Sequence, residues 1–211
     1  MATKKMSVHQ ALSELKLYQS KLEKMNGAGA NYIASRKNNV KMINGQSLED
    51  FEKNIKSNFQ KMSALISNRK RIKDAVVLSN AETKVKIGSQ EMTVAEAIER
   101  KASLTFEKMF YQTLLHQYQT HVNNVNRKNE EVQKGLEQYL SNVLGDKPEA
   151  EMIERLSKKY VEDNEWTLID PMNVSDRLEA LNNSIEEFQS NVDYILSESN
   201  ATTFITVELE D

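Results

Sequence analysis

The 211-residue chain contains no cysteine, which excludes disulfides, thiolate nucleophiles, iron–sulfur clusters and cysteine-based zinc sites together. It has two prolines, Pro148 and Pro171, and six glycines. With so few breakers, long uninterrupted helices are favoured. Long apolar runs are also missing. The longest is Ala75-Val76-Val77-Leu78, far short of the roughly 18 residues that cross a bilayer. The opening stretch MATKKMSVHQ is basic at its start with no apolar segment behind it, so no secretory signal is expected. What is present is 28 % charged and 39 % hydrophobic residues, enough to bury a core and unlike a disordered chain. At ~150 residues per domain, the length allows one domain or two small ones.

The net charge of −3 hides an asymmetry. Residues 1–80 carry fifteen Lys/Arg against six Asp/Glu, a balance of +9, and residues 81–211 carry thirteen against twenty-five, a balance of −12. Two readings are open. Either the basic segment packs beside the acidic one, or the first eighty residues build an anion-binding surface. A protein that coats a duplex is more usually basic overall. The acidic pI of about 5.8 therefore disfavours extended nucleic-acid binding and leaves a local phosphate pocket open.

Ser7, with Gln10 three residues on, forms a capping-box pattern that opens a helix predicted over 7–25. Val8, Ala11, Leu12, Leu15, Leu22 and Met25 fall on its apolar face. Asn26-Gly27-Ala28-Gly29 ends it, and residues 30–46 form a polar loop, with a short strand or turn near Val40–Ile43 and a strong turn signal at Asn44-Gly45. Ser47 and Asp50 open a second helix over 48–79, with Leu48, Phe51, Ile55, Met62, Leu65, Ile72 and Val76 inward. Thr83, Val85 and Ile87 then alternate, Gly88-Ser89-Gln90 turns, and a β-hairpin over 83–93 follows. Thr93 and Glu96 cap a third helix over 94–144.

In that helix Leu115, Tyr118, Val122, Val125, Asn129, Val132, Leu136, Tyr139 and Val143 step by three and four, a heptad seam with one polar position. If unbroken, its fifty-one residues would span about 76 Å at ~1.5 Å rise. The alternative is a break in the polar stretch His121–Asn126. An unbroken rod implies an elongated single domain over 1–211 whose far half is poorly covered by its own chain, hence a homo-oligomer. Gly145-Asp146-Lys147-Pro148 stops the helix. Further helices are predicted over 148–162 and 174–197, the last with Val174, Leu178, Leu181, Ile185, Phe188, Val192 and Ile195 in a second seam. A final strand covers 203–209. The expected fold class is mainly α: long antiparallel helices of bundle or coiled-coil type, with a small β-hairpin and a C-terminal strand.

One pattern occurs twice, 120 residues apart. Ser79-Asn80-Ala81-Glu82-Thr83 and Ser199-Asn200-Ala201-Thr202-Thr203 each lead from a helix into a strand. Asn closes a helix and Thr opens a strand, so the final strand is expected to join the hairpin in one small sheet, because a hairpin alone is marginal in water. The alternative is a polar site lined by Ser79, Asn80, Ser199 and Asn200.

Little points to chemistry. His116 and His121 are five apart, not the three or four that put two ligands on one helical face, and no metal-binding or carboxylate–His motif occurs. No metal site and no cofactor are expected. Gly27-Ala28-Gly29 lacks the strand a phosphate loop needs, and no nucleophile motif is present. No enzyme activity is expected. The basic residues are more informative. Arg36 and Lys37 lie in the polar loop beside Tyr32, while Arg69, Arg71 and Lys73 lie on the second helix. The hairpin would return Arg100 to the level of Arg69 and Lys73. Arginine forks bind phosphate oxygens bidentately and Tyr32 would stack on a base. The opposing reading is that these are solvated positions neutralised by Glu96, Glu99 or the acidic tail.

The run from Leu78-Ser79-Asn80-Ala81 through Thr93-Val94-Ala95-Glu96-Ala97-Ile98-Glu99-Arg100-Lys101 resembles small α-helical proteins encoded by bacteriophages and prophages of Gram-positive hosts. So does Ile169-Asp170-Pro171 with the helix closing at Val192-Asp193-Tyr194-Ile195-Leu196-Ser197-Glu198-Ser199-Asn200-Ala201. The resemblance carries no catalytic residue. It implies a phage setting in the host cytoplasm, in which a small acidic oligomer is either a virion or assembly component, or an anti-defence protein. The latter binds a host defence protein or sequesters its nucleotide signal.

Overall fold

A computed structural model describes residues 2–27, 29–144 and 149–210. Ala28 and the expected stop at Gly145–Pro148 lie outside them. The order is β1 (Ala2–Ser7), α1 (Val8–Gly27), β2 (Met42–Ile43), β3 (Gln46–Ser47), α2 (Leu48–Glu82), β4 (Lys84–Ile87), β5 (Gln90–Thr93), α3 (Val94–Val143), α4 (Ala150–Asn164), α5 (Val174–Thr202) and β6 (Phe204–Leu209). The fold is mainly α, with small antiparallel strand pairs. The described residues group into two compact units, 2–102 with 187–210 and 103–186. The helix α3 shows no break at His121–Asn126.

Two reciprocal capping boxes and one simple N-cap form at the predicted helix starts. The Gln10 amide N–H donates to Ser7 Oγ at 3.2 Å while Ser7 N–H donates to Gln10 Oε1 at 2.9 Å. Asp50 N–H donates to Ser47 Oγ at 3.2 Å. Thr93 and Glu96 reciprocate at 2.6 and 3.1 Å. Each box satisfies backbone donors that the first helical turn leaves orphaned. The turn at Asn44-Gly45 has positive φ at both residues, 49° and 79°, as a tight two-residue hairpin requires. At Gly88, φ is +61°, a backbone conformation that favours glycine, and an added Cβ would displace the Glu187 side chain.

The expected pairing of the last strand with the hairpin is corrected. β6 pairs antiparallel with β1, Met6 opposite Ile205 and Lys4 opposite Val207, and β4 pairs with β5 separately. The strand β1 escapes the sequence because Met6 is its only large apolar residue among lysines and small side chains. It forms because Met6, Ile205 and Val207 bury one face against Ile72 and Val76 of α2 and Val8, Ala11 and Leu15 of α1.

The repeated Ser-Asn-Ala-x-Thr pattern marks a duplicated joint. Thr83 N–H donates to Ser79 O at 2.8 Å and Thr203 N–H to Ser199 O at 2.9 Å. Each threonine carbonyl then accepts from the first residue of a helix on the paired strand: Val94 N–H at 2.9 Å to Thr83 O, and Val8 N–H at 2.9 Å to Thr203 O. The incoming segments echo each other too, Met6-Ser7-Val8 with Ala11 against Met92-Thr93-Val94 with Ala97. Helix–strand paired with strand–helix therefore occurs twice. One copy is α5–β6 with β1–α1, and the other is α2–β4 with β5–α3.

Within 103–186, α4 and the segment after it cover part of the far half of α3, whose seam residues from Leu115 to Tyr139 are half-buried while Val143 stays exposed. Tyr139 stacks on Tyr160 of α4, with centroids 5.1 Å apart. The Tyr160 hydroxyl lies 2.6 Å from where a Cβ on Gly135 would be. Asn129, the polar position in the seam, donates to Trp166 O and accepts from Trp166 N–H, both at 2.8 Å. A heptad repeat is satisfied by any apolar partner at the right spacing, and here α4 and the segment after it supply one.

Candidate functional site

The helices α1 and α2 pack antiparallel along an apolar seam, and their cations are pushed to its two flanks. On one flank Arg69, Lys70 and Lys73 line a groove of about 420 Å³ with Gln19, Leu22 and Asp74. Arg69 is half-buried, Lys70 and Lys73 are exposed, and none of the three takes a hydrogen-bond or ion-pair partner among the described residues. On the other flank Lys21, Lys24 and Lys61 line a groove of about 490 Å³ with Tyr18, Asn68 and Glu210. The carboxylate of Glu210 is engaged by Arg71 at 2.7 Å and by the Ser67 hydroxyl at 2.9 Å. Each flank presents three cations against one carboxylate. Clustered like charges raise the local potential and cost little when an anion neutralises them.

The structure brings Arg69 and Lys73 together but not the rest of the expected set. Arg100 donates to Gln90 Oε1 at 2.8 Å and lies 4.4 Å over the Phe188 ring. At the level of Arg69 the helix packed along α2 is α1, not α3. Arg71 holds the end of β6, donating to Glu208 O at 3.1 Å as well as to Glu210. Arg36 turns into its own loop and donates to the carbonyls of Lys37, Asn38 and Val40. Lys37 is exposed in that loop. Tyr32 lines neither groove, and its buried hydroxyl has no hydrogen-bond partner among the described residues. The aromatic ring beside a basic flank is that of Tyr18, under Lys21 Nζ at 5.8 Å.

The alternative polar site is divided in the same way. Ser199 lines a groove of about 320 Å³ with Thr202, Thr203 and residues 83–86. Ser79, Asn80 and Asn200 are half-buried at their helix ends and do not line it. Sequence reading missed Lys21, Lys24 and Lys61. The three-residue step from Lys21 to Lys24 puts both on one side of α1, but their convergence with Lys61 needs the antiparallel register of two helices, which no local pattern carries.

Two carboxylates respond to their surroundings. Glu96 is held below its ordinary pKa chiefly by the backbone N–H of Thr93, then by the Thr93 hydroxyl, with Lys84 adding its charge. Glu131 is lowered by the hydrogen bond from Lys128, and by the charges of Lys128 and Arg127. Glu96 belongs to the cap of α3, and Glu131 to a surface ion-pair cluster with Lys128 and Arg127. Among the described residues no cluster of three or more His, Asp or Glu side chains is placed to hold a metal, and no helix is long and apolar enough to cross a membrane.

The chain matches no protein family, no curated protein and no solved structure.

Proposed function

We propose that this is a non-enzymatic binding protein that captures a small phosphorylated ligand, of nucleotide type, on the α1–α2 flank formed by Arg69, Lys70 and Lys73. The observation that carries the reading is that these three cations share a groove and are unpaired among the described residues. An arginine fork and two ammonium groups match a phosphate's oxygens, and Gln19 adds a neutral donor. Capture without turnover needs only charge-assisted contacts in a partly desolvated groove. In the phage setting that the resemblance at 78–101 and 169–201 implies, such capture in the host cytoplasm would remove a nucleotide immune signal.

The test is retention. The purified protein is incubated with cyclic dinucleotides and ADP-ribose-type nucleotides, desalted and heated to release what it holds. Retention is expected for at least one class, with a loss of about tenfold in affinity for Arg69→Ala, since a hydrogen bond to a charged group is worth ~1.5–3 kcal/mol. If no nucleotide of either class is retained, the reading fails.

A second reading, a protein-interaction or assembly module, is favoured by a different observation. Phe106, Met109 and Phe110 stand on one side of α3 with 72 %, 62 % and 59 % of their surfaces exposed. Neighbouring exposed aromatics at helical spacing mark an interaction face. Here a homo-oligomer would show a solution mass above 24.2 kDa, and Met109→Glu would return it to that value while leaving nucleotide retention intact.

A further inference from the structure

Residues 103–186 form a second, partly open cavity, separate from the α1–α2 flank. Its volume is about 360 Å³, within the range of small-molecule sites. One wall is a stretch of α3 bearing Tyr118, His121 and Val125. The other is the extended segment that contains Trp166, Leu168 and Asp170. That segment is held in place by polar contacts at both ends. Asn129 pins the Trp166 backbone through two hydrogen bonds. The Asp170 carboxylate accepts from Val174 N–H at 2.8 and 3.0 Å, closing the start of α5. The cavity is thus formed by the chain's own anchoring and does not await a ligand to shape it.

The lining decides what fits. No lysine or arginine lines the cavity, and Asp170 is its one carboxylate. One N–H, that of Val174, is shared between the two Asp170 oxygens, which leaves lone pairs on that carboxylate unused. Lys128, outside the lining, has its ammonium 5.8 Å from the Trp166 ring centroid and paired with Glu131 at 2.9 Å. An apolar body would lie on Leu168 and Val125, and a positive centre would be stabilised by the faces of Trp166 and Tyr118 together with Asp170. A carboxylate or phosphate would meet Asp170 with no cation to offset it.

We propose that this cavity binds a small, mainly apolar amine, with an aryl or alkyl body among Val125, Leu168 and Trp166 and the ammonium directed to Asp170. The occupant class is opposite in charge to that of the α1–α2 groove, so either site can fail without the other.

Trp166 is the only tryptophan, which makes its emission a reporter of this cavity alone. The intact chain is titrated with 4-phenylbutylamine, 4-phenylbutanol and 4-phenylbutyrate, three probes that share one body and differ in charge. The expected order of affinity is amine, alcohol, carboxylate, with about five- to tenfold between the first and last. Asp170→Asn keeps an oxygen to cap α5 and should erase the gap between amine and alcohol while leaving the alcohol's affinity unchanged. Val125→Phe fills the cavity and should weaken all three, with helix content checked by circular dichroism. The proposal is overturned if none of the probes alters Trp166 emission at millimolar concentration. It is equally overturned if the carboxylate binds as tightly as the amine, or if Asp170→Asn leaves the amine's advantage intact.

Discussion

Asn68 and Asn129 stand on helices yet behave as fragments of a strand, because a side-chain amide carries the same donor and acceptor as a peptide group. Asn68, 5 % exposed, donates to Glu210 O at 2.8 Å and accepts from Glu210 N–H at 2.7 Å, fixing the end of β6 against α2. Asn129 does the same for Trp166. Heptad logic alone would read Asn129 as a flaw whose replacement by leucine completes the seam. The geometry predicts the reverse. Asn129→Leu should destabilise residues 103–186 by about 1–2 kcal/mol, since two backbone groups lose their partners, and should shift Trp166 emission to the red. Urea unfolding followed at Trp166 decides between them, and a more stable variant would reject the pinning role. The polar position was legible in the spacing. Its partner was not, because a residue 37 positions away leaves no periodic trace.

At the scale of elements, what local rules govern was readable and what pairing governs was not. The boxes Ser7–Gln10 and Thr93–Glu96 and the N-cap Ser47 are set by a three-residue spacing and form where expected, as does the turn at Gly88. Which strand pairs with β6 depends on burial of Met6 against a distant helix, and a lysine-rich segment conceals that. The boxes differ in one testable respect. Gln10 is neutral, whereas the Glu96 carboxylate is held low by Thr93. A lowered pKa means that its contribution is complete above the ordinary value of 4.5 and disappears as pH falls through the lower folded value. Stability measured across that acid range should therefore fall less steeply in Glu96→Gln, and an unchanged slope would show that the carboxylate is not engaged. The helix α3 offers a second test. Glycine to alanine within a helix ordinarily gains about 1 kcal/mol, but at Gly135 the new methyl meets the Tyr160 hydroxyl. Gly135→Ala should gain less than that alone and recover the remainder in a Tyr160→Phe background. Additive effects in the double-mutant cycle would exonerate the hydroxyl.

Across the whole molecule, the +9 and −12 segments meet at Arg71, which pairs with Glu210, whereas Lys53 pairs with Glu49 inside the first segment and Lys84, Arg127, Lys128, Lys158 and Lys159 pair with acids inside the second. The sequence displays the charge excess but cannot sort cations that hold the fold from those left to solvent, because the sorting follows from where β6 ends and from how α1 lies on α2. That division yields a test with opposite outcomes for neighbouring residues. Arg71→Gln removes the clamp on β6 and should lower stability by about 1 kcal/mol, a modest figure because each partner is about a third exposed to solvent screening. It should leave the affinity for inorganic tripolyphosphate unchanged. Arg69→Gln with Lys73→Gln should leave the melting temperature within a degree or so and weaken tripolyphosphate binding about tenfold or more, with a shallower dependence on salt as two charges are lost. Calorimetry and a salt titration on both variants separate the two roles. Equal losses of affinity in both would mean that the anion is drawn to the general field of the basic segment, and the groove would then have no claim to be a site.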